Sequence, residues 1–264
     1  MSAGKKSLLW EFSKAGHAAP CYLFGTMHVQ DMRAFAFLEQ AKERLLRSGC
    51  LALELDLGQA QASLDPSLFR LPPGISLDKL LPPKKFEKLR CVLRKTAQLD
   101  IAALRQFSPI LIVNLVNEGI LARDMPVPLD QHLWDFAQEE GLTILGIETL
   151  EEQMQTLRRI PLEMQLQSLL SLGRNLKRYR HQILRMAEVY ASGDIYKLHQ
   201  AAKRSASGLR GPLLYDRNVI MADRITAWSE SQSMFCAVGA GHLAGGKGLI
   251  RLLKQRGFQV RACD

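Results

Sequence analysis

Two histidines in this sequence follow an apolar run at the same spacing. In YLFGTMH, His28 lies three residues after Gly25, and in FCAVGAGH, His242 lies three residues after Gly239. An apolar run that stops at a glycine is typical of a buried strand whose chain then turns sharply. An imidazole just beyond such a strand is suited to accept a proton or to bind a metal ion. A single histidine in this position would indicate a structural role at least as strongly as a ligand role. The repeated G-x-x-H context favours a site that the two histidines share.

Two glutamates are predicted to add to this set of polar groups, one from inside another strand and one from the end of a further strand. Glu54 interrupts the alternating run LALELDL (51–57), and Glu148 follows the apolar residues of TILGIET (143–149). Because a buried carboxylate is costly unless it is paired or coordinated, both are expected to face a polar cleft. Imidazole and carboxylate groups that converge in a cleft suit a divalent metal ion, or a pair that activates water. Either glutamate would then accept the proton.

The segment YDRNVIMADRI (215–225) has two interpretations, which the spacing does not separate. In both, a helix begins near Asp216, whose carboxylate would cap it. In the first interpretation, Arg217 and Asn218 donate hydrogen bonds to an oxygen that becomes negative during attack on a carbonyl group. In the second, these residues form only a capping and salt-bridge cluster.

A glycine-rich segment near the C-terminus resembles a phosphate-binding loop only in part. GHLAGGKG (241–248) fits the pattern G-x-x-x-x-G-K. The serine or threonine that binds magnesium in such loops is missing, because Gly248 follows Lys247. The segment is therefore interpreted as a loop that leads into a final helix, LIRLLKQRG.

The elements that must position these residues alternate between strand and helix. We predict strands at 21–25, 51–57, 142–147 and 234–238, separated by amphipathic helices. This alternation predicts an α/β fold with a largely parallel central sheet. We expect a single domain over residues 8–264, with helical insertions at about 59–124 and 150–210.

Composition places the chain among ordinary globular proteins. The 264 residues are 47% hydrophobic and 23% charged, and no apolar run approaches the length that spans a bilayer. No integral membrane segment is therefore predicted. The basic N-terminus lacks the apolar core of an export signal, so the sequence as written predicts a cytoplasmic protein; export stays open if a leader has been trimmed. The five scattered cysteines are predicted to be free thiols.

Much of the net charge of +9 lies in the segment 158–210. The favoured interpretation is a solvated helical face, with an acidic substrate or membrane surface as the alternative. The segment lacks the interleaved aromatic residues of a single-strand binder and matches no nucleic-acid motif. No nucleic-acid partner is therefore predicted.

Five segments, in order, resemble the TraB/GumN family, which includes the Tiki proteases: YLFGTMHV, LELDL, LDQHLWDFAQEEGLTILGIETLEEQ, YDRNVIMADRI and FCAVGAGHLAGGKGLIRLLKQRGFQV. The resemblance implies an α/β fold related to erythromycin esterase and the haem-binding ChaN-like proteins. In the Tiki branch, both G-x-x-H motifs and an acidic residue are associated with manganese- or cobalt-dependent peptide hydrolysis. Matched by motif, these residues are His28, His242 and Glu54, and the Arg-Asn pair is Arg217 and Asn218.

The sequence therefore predicts a metal-dependent hydrolase that acts on a peptide or protein substrate. His28, His242 and Glu54 would hold a divalent ion, manganese or cobalt, with zinc as an alternative. A metal-free esterase in which His28 and Glu54 activate water is the second hypothesis. The third is a non-catalytic domain that binds a peptide or a haem-like ligand in the same cleft. The sequence gives no indication of the oligomeric state.

Overall fold

Six strands form one mixed sheet in the computed structural model, which describes residues 6–17, 19–59, 65–205 and 210–263. The strands are β1 (Leu9–Ser13), β2 (Cys21–Thr26), β3 (Cys50–Leu53), β4 (Thr143–Gly146), β5 (Met234–Gly239) and β6 (Gln259–Ala262). Their order is β4-β3-β5-β2-β1-β6. The four strands from β4 to β2 are mutually parallel. At the other edge, β1 pairs antiparallel with β2, and β6 pairs antiparallel with β1. The prediction of an α/β fold with a largely parallel sheet is confirmed.

Three of the parallel strands, β2, β3 and β5, are almost entirely buried because both faces of the sheet are covered there. Every residue of β2 is buried, and so is every residue of β5 except its last. Phe24 and Phe235 pack with ring centroids 5.9 Å apart. Three of the cysteines, Cys21, Cys50 and Cys236, are buried in these strands, whereas Cys91 is exposed.

The third strand is shorter than the alternation in LALELDL predicts. It ends at Leu53, so Glu54 is the first residue beyond the strand and not part of it. The Glu54 side chain then accepts a hydrogen bond from the backbone N–H of Gly239, the last residue of β5. Beyond the end of β3, the Glu54 carboxylate thus takes the place of a backbone carbonyl as the acceptor for the backbone of β5. The antiparallel strands β1 and β6 were not predicted at all.

The helices are α1 (Leu38–Leu46), α2 (Leu77–Leu80), α3 (Pro83–Ala97), α4 (Pro109–Ile120), α5 (Leu129–Glu139), α6 (Leu150–Arg158), α7 (Leu162–Arg174), α8 (Leu176–Ala191), α9 (Ile195–Ser205), α10 (Asp216–Ser229) and α11 (Leu249–Gln255). Prolines begin α3 and α4, where a missing N–H costs nothing. In the described ranges, no helix combines the length and the apolar character that a membrane span requires.

The start of α10 differs from the prediction. A π-helical turn, Gly211–Tyr215, continues directly into α10, and Asp216 already has helical dihedral angles. Asp216 therefore does not cap a helix N-terminus. The final helix, α11, begins after a loop as predicted, because Gly248 is its N-terminal flanking residue.

The chain divides into two compact units. The first contains the sheet and comprises the described residues within 1–62, 123–156 and 186–264. The second, within 63–122 and 157–185, is helical and has its own apolar core, which includes Leu77, Leu93, Ile101, Ile112 and Leu169. The single-domain organisation, with insertions at about 59–124 and 150–210, stays a prediction. Several basic residues of the charged segment are exposed on α7 and α8: Arg174, Lys177, Arg178, Arg180 and Arg185.

Candidate functional site

Four polar side chains follow the carboxyl ends of the four parallel strands. His28 lies two residues after β2, Glu54 directly after β3, Glu148 two residues after β4 and His242 three residues after β5. The strands β2 and β5 are neighbours, with Thr26 opposite Gly239. Ligands of open α/β sheets bind at this edge, beyond the carboxyl ends of the strands.

Arg217, on α10, lies between two of these carboxylates. Its Nε donates to Glu148 Oε1 at 2.9 Å, and its Nη2 donates to Glu54 Oε2 at 2.7 Å. The exposed fractions of the side chains are 16% for Arg217, 2% for Glu148 and 25% for Glu54. Because buried charges require compensation, the guanidinium and the two carboxylates form one interdependent group. We name Glu54, Glu148, Arg217, Asn218 and His242 the strand-end cluster.

The Glu54 carboxylate is ionised in this environment. Burial alone would raise its pKa, but the positive charge of His242 when it is protonated, that of Arg217, and the hydrogen bond from the Gly239 N–H outweigh burial and lower it. Oε1 accepts that backbone bond at 2.6 Å. Glu54 is the most exposed member of the carboxylate–guanidinium group, so it is the member that solvent reaches most easily.

The two glycines of the G-x-x-H motifs permit close approaches. A Cβ atom on Gly239 would lie 3.1 Å from Glu54 Oε1 and 3.6 Å from His242 Cδ2. A Cβ atom on Gly25 would lie 2.6 Å from Leu243 Cδ1. A side chain in place of Gly239 would therefore crowd the Glu54 carboxylate, and one in place of Gly25 would displace Leu243 in the turn after β5.

The imidazole of His242 is buried and held in one tautomer by Asn218. The Asn218 Nδ2 donates to the carbonyl oxygens of Lys247 and His242, at 2.7 and 3.4 Å, so its Oδ1 is the acceptor 2.5 Å from His242 Nδ1. His242 Nδ1 therefore carries the hydrogen, and Nε2 has the lone pair. Burial lowers the pKa of His242 to about 4, so the ring is neutral at pH 7. Its Nε2 lies 3.8 Å from Glu54 Oε1 and 3.5 Å from Arg217 Nη1.

The imidazole of His28 has an equivalent arrangement with Asp130, in the first turn of α5. His28 Nδ1 lies 3.3 Å from Asp130 Oδ2, and the Thr26 hydroxyl donates to Asp130 Oδ1 at 2.7 Å. Since a carboxylate only accepts hydrogen bonds, Nδ1 carries the hydrogen, and in the neutral imidazole Nε2 has the lone pair. The His28 side chain is 61% exposed. We name these residues the His28–Asp130 pair.

Sequence reasoning missed Asp130. An acidic residue in the first turn of a helix is common, because it interacts favourably with the helix dipole. The pattern LDQHL therefore gave no reason to assign this aspartate to a site. Only the pairing of β2 with its neighbours, and the position of α5 beside it, bring Asp130 to His28.

These contacts argue against two of the predicted roles. Asn218 is fully buried, and its amide hydrogens go to backbone carbonyls, so it does not donate to a substrate oxyanion. Glu148 is almost fully buried, and its oxygens accept hydrogen bonds from Arg217 and Gln153. Glu148 is therefore unsuited to accept a proton from substrate-side water. Asn218 positions His242, and Glu148 balances the charge of Arg217.

The donor chemistry fits a divalent metal ion. His242 and His28 each have Nδ1 bound to a side-chain oxygen, from Asn218 and Asp130, so Nε2 of each neutral ring is the nitrogen that can accept; such outer partners are typical of metal-binding histidines. The ionised Glu54 is a third donor. Within the described ranges, however, no three His, Cys, Asp or Glu side chains are already gathered as a metal-binding group.

The sequence of this chain is similar to those of proteins named metalloproteases. It is 27% identical to Metalloprotease TIKI2 of Danio rerio, over an alignment that covers 96% of this chain and 60% of that protein. It is 26% identical to Metalloprotease TIKI1 of Homo sapiens, with 96% and 61% coverage. The chain thus spans about three-fifths of the length of these relatives. No solved structure matches it. The model of the TraB/PrgY/gumN family matches residues 8–262, and the chain belongs to that family.

Proposed function

We propose that this chain hydrolyses peptide bonds with the help of a divalent metal ion bound at the carboxyl ends of β2, β3 and β5. The observation that supports this proposal most directly is the shared arrangement of His28 and His242. Both imidazoles have Nδ1 hydrogen-bonded to a side-chain oxygen, so that Nε2 of each neutral ring has the lone pair. The similarity to proteins named metalloproteases supports the same reaction class.

Three residues are proposed to hold the metal: His242 and His28 through Nε2, and Glu54 through its carboxylate. Manganese or cobalt is the proposed ion, with zinc as the alternative. When bound, such an ion would act as a Lewis acid on the carbonyl group to be cleaved or on water. The proposed substrate is a peptide or a protein.

The remaining residues of the strand-end cluster, together with Asp130, are proposed to position these donors. Asn218 fixes the tautomer of His242, and Asp130 fixes that of His28. Arg217 keeps Glu54 ionised and oriented, because its Nη2 donates to Glu54 while its Nε donates to Glu148. Only Nη1 of Arg217 is not bound to a carboxylate by these contacts, so a role in stabilising an oxyanion would fall to that nitrogen.

The metal-free esterase is retained as a second candidate because of the His28–Asp130 pair. An exposed imidazole whose Nδ1–H is held by a carboxylate is a common general base. Its Nε2 would take a proton from water, and Asp130 would stabilise the imidazolium that forms. Glu54 is less suited to this step, because its lowered pKa makes it a weaker base.

The test is a cleavage assay on protein stripped of metal by a chelator and then reloaded with Mn²⁺, Co²⁺ or Zn²⁺. The substrates are a mixture of unstructured peptides, followed by mass spectrometry, and a set of aryl esters. We expect peptide cleavage that requires the metal and is lost in His242→Leu. His181→Ala is the matched control, because His181 is exposed and lies in the second unit.

Cleavage of peptides that persists in His242→Leu after stripping would contradict the proposal. Ester cleavage that is indifferent to the metal and is lost in Asp130→Asn would support the second candidate instead. Absence of both activities, with tight binding of a peptide, would favour the non-catalytic hypothesis.

A further inference from the structure

Two buried polar side chains near the site take no direct part in the proposed reaction. Tyr190, on α8, is fully buried, and its hydroxyl donates to the carbonyl oxygen of Gly25 at 2.7 Å. His199, on α9, is 8% exposed, and its Nδ1 lies 3.0 Å from the carbonyl oxygen of Gly241. Since a carbonyl oxygen only accepts, Nδ1 of His199 carries the hydrogen. The segment that contains α8 and α9 therefore bonds once to each G-x-x-H motif.

The turn that carries His242 is shaped to receive α9. Gly245 has a φ of +95°, and a Cβ atom there would collide with the His199 ring. A Cβ atom on Gly241 would lie 2.8 Å from Cβ of Ala202. Two of the four glycines of GHLAGGKG, Gly241 and Gly245, are thus explained by the close packing of a helix on this turn.

The turn that carries His28 depends on Tyr190 in a similar way. The Gly25 carbonyl lies in a buried strand, three residues before His28, and the phenol hydroxyl is its partner from outside the sheet. Burial raises the pKa of Tyr190 well above its usual value, so the hydroxyl remains a neutral donor. Removing it would leave a buried acceptor without this hydrogen bond, which is costly.

We infer that Tyr190 and His199 are positioning residues for the two G-x-x-H histidines. Tyr190 holds the backbone at the end of β2, three residues before His28. His199 holds the carbonyl of Gly241, immediately before His242. Neither touches the atoms proposed to react, so each acts through the turn that it binds. The catalytic consequence of this inference rests on the proposed function, whereas its structural consequence does not.

Amide hydrogen exchange, followed by mass spectrometry, tests the structural consequence without any substrate. The variants are Tyr190→Phe, which removes only the hydroxyl, and His199→Leu, which removes the donor. We expect amide exchange to become roughly tenfold faster, because each variant loses about one buried hydrogen bond. In Tyr190→Phe the change should be confined to residues 24–28, and in His199→Leu to 239–243.

Two further variants control for general effects. His199→Asn retains an N–H close to the position of Nδ1, and should restore slow exchange in 239–243. Tyr179→Phe removes a hydroxyl that donates to Asn117 Oδ1 at 2.6 Å in the second unit, and should leave both turns unchanged. Where the wild type cleaves peptide, Tyr190→Phe and His199→Leu should lower kcat roughly tenfold with KM nearly unchanged.

Unchanged exchange at both turns would overturn the inference. So would an equal increase in β1 and β6, because that result would indicate only a general loss of stability. A wild type that cleaves neither peptides nor esters, combined with faster exchange confined to the two turns, would uphold the positioning role and refute the proposed function.

Discussion

His28 and His242 present the same hydrogen-bonding arrangement from neighbouring parallel strands. Each has Nδ1 bound to a side-chain oxygen, from Asp130 in one case and from Asn218 in the other. They differ in burial, because His28 is largely exposed whereas His242 is almost fully buried. The two histidines thus combine a buried imidazole in a fixed orientation, that of His242, with an exposed imidazole that solvent reaches, that of His28.

Asn218→Leu should release the tautomer of His242. The substitution roughly keeps the size of the side chain but removes the acceptor of the Nδ1 hydrogen, and it leaves the Lys247 carbonyl without its amide donor. We expect the ¹⁵N spectrum of the imidazole to change from a single Nδ1–H form to a mixture. Stability should fall by about 1–3 kcal/mol, the cost of unpaired buried groups. Asn117→Leu, at a half-buried Tyr–Asn contact, is the control, and a wild-type imidazole spectrum in Asn218→Leu would contradict the assignment.

Asp130→Asn should weaken the function of His28 and not the fold. The amide keeps the size of the side chain but loses the charge that holds the Nδ1 hydrogen. Loss of such an outer partner typically costs about 10–100-fold in metal affinity or activity. Mn²⁺ affinity and peptide cleavage are the measurements. Asp135→Asn, on the same helix, alters a contact with Gln131 and should have neither effect.

Arg217→Met should strongly destabilise the protein. The substitution leaves the carboxylates of Glu54 and Glu148 near each other without their shared cation. Breaking a buried ion pair in this way costs about 3–5 kcal/mol. Denaturant unfolding measures the loss, and Arg47→Met, at an exposed ion pair with Glu43, should change stability by less than about 1 kcal/mol. Equal losses in the two variants would show that the cluster is not electrostatically interdependent.

The ion pair between Glu152 and Arg224 should make stability depend on pH. Hydrogen bonds from Arg224 and from the Thr149 N–H, opposed by burial, lower the pKa of Glu152 from 4.5 to about 2. A carboxylate with a lowered pKa in the folded state stabilises the protein above its unfolded pKa, and this contribution is lost as the pH falls towards about 2. The melting temperature of Glu152→Gln should therefore be below that of the wild type at pH 7 and approach it near pH 2. A constant difference across this range would contradict the assignment.

The parts of the site that lie at strand ends were predictable from sequence. The apolar runs before His28 and His242 reflect the covering of β2 and β5 on both faces of the sheet. A polar residue at the end of such a run is conspicuous. Helical periodicity likewise placed Arg217 on a helix near its start.

Other features depend on contacts between residues far apart in the chain, which no local pattern reveals. The antiparallel edge strands pair Trp10 with Ala262, and the short run QVRA has no distinctive alternation. Asp130, Tyr190 and His199 each lie on an ordinary amphipathic helix, and each acquires its partner only when that helix packs against the sheet. The backbone partners of Asn218, which argue against an oxyanion role for it, were not visible in the sequence for the same reason.

The shared use of the two histidines is tested most directly by pulsed EPR spectroscopy of bound Mn²⁺. Protein labelled with ¹⁵N-histidine would be stripped, loaded with one equivalent of Mn²⁺ and examined as wild type, His28→Ala and His242→Ala. We predict coupling of the manganese to two histidine nitrogens in the wild type and to one in each variant. Manganese that shows no histidine coupling, or coupling that neither substitution changes, would contradict a common centre at the ends of β2 and β5.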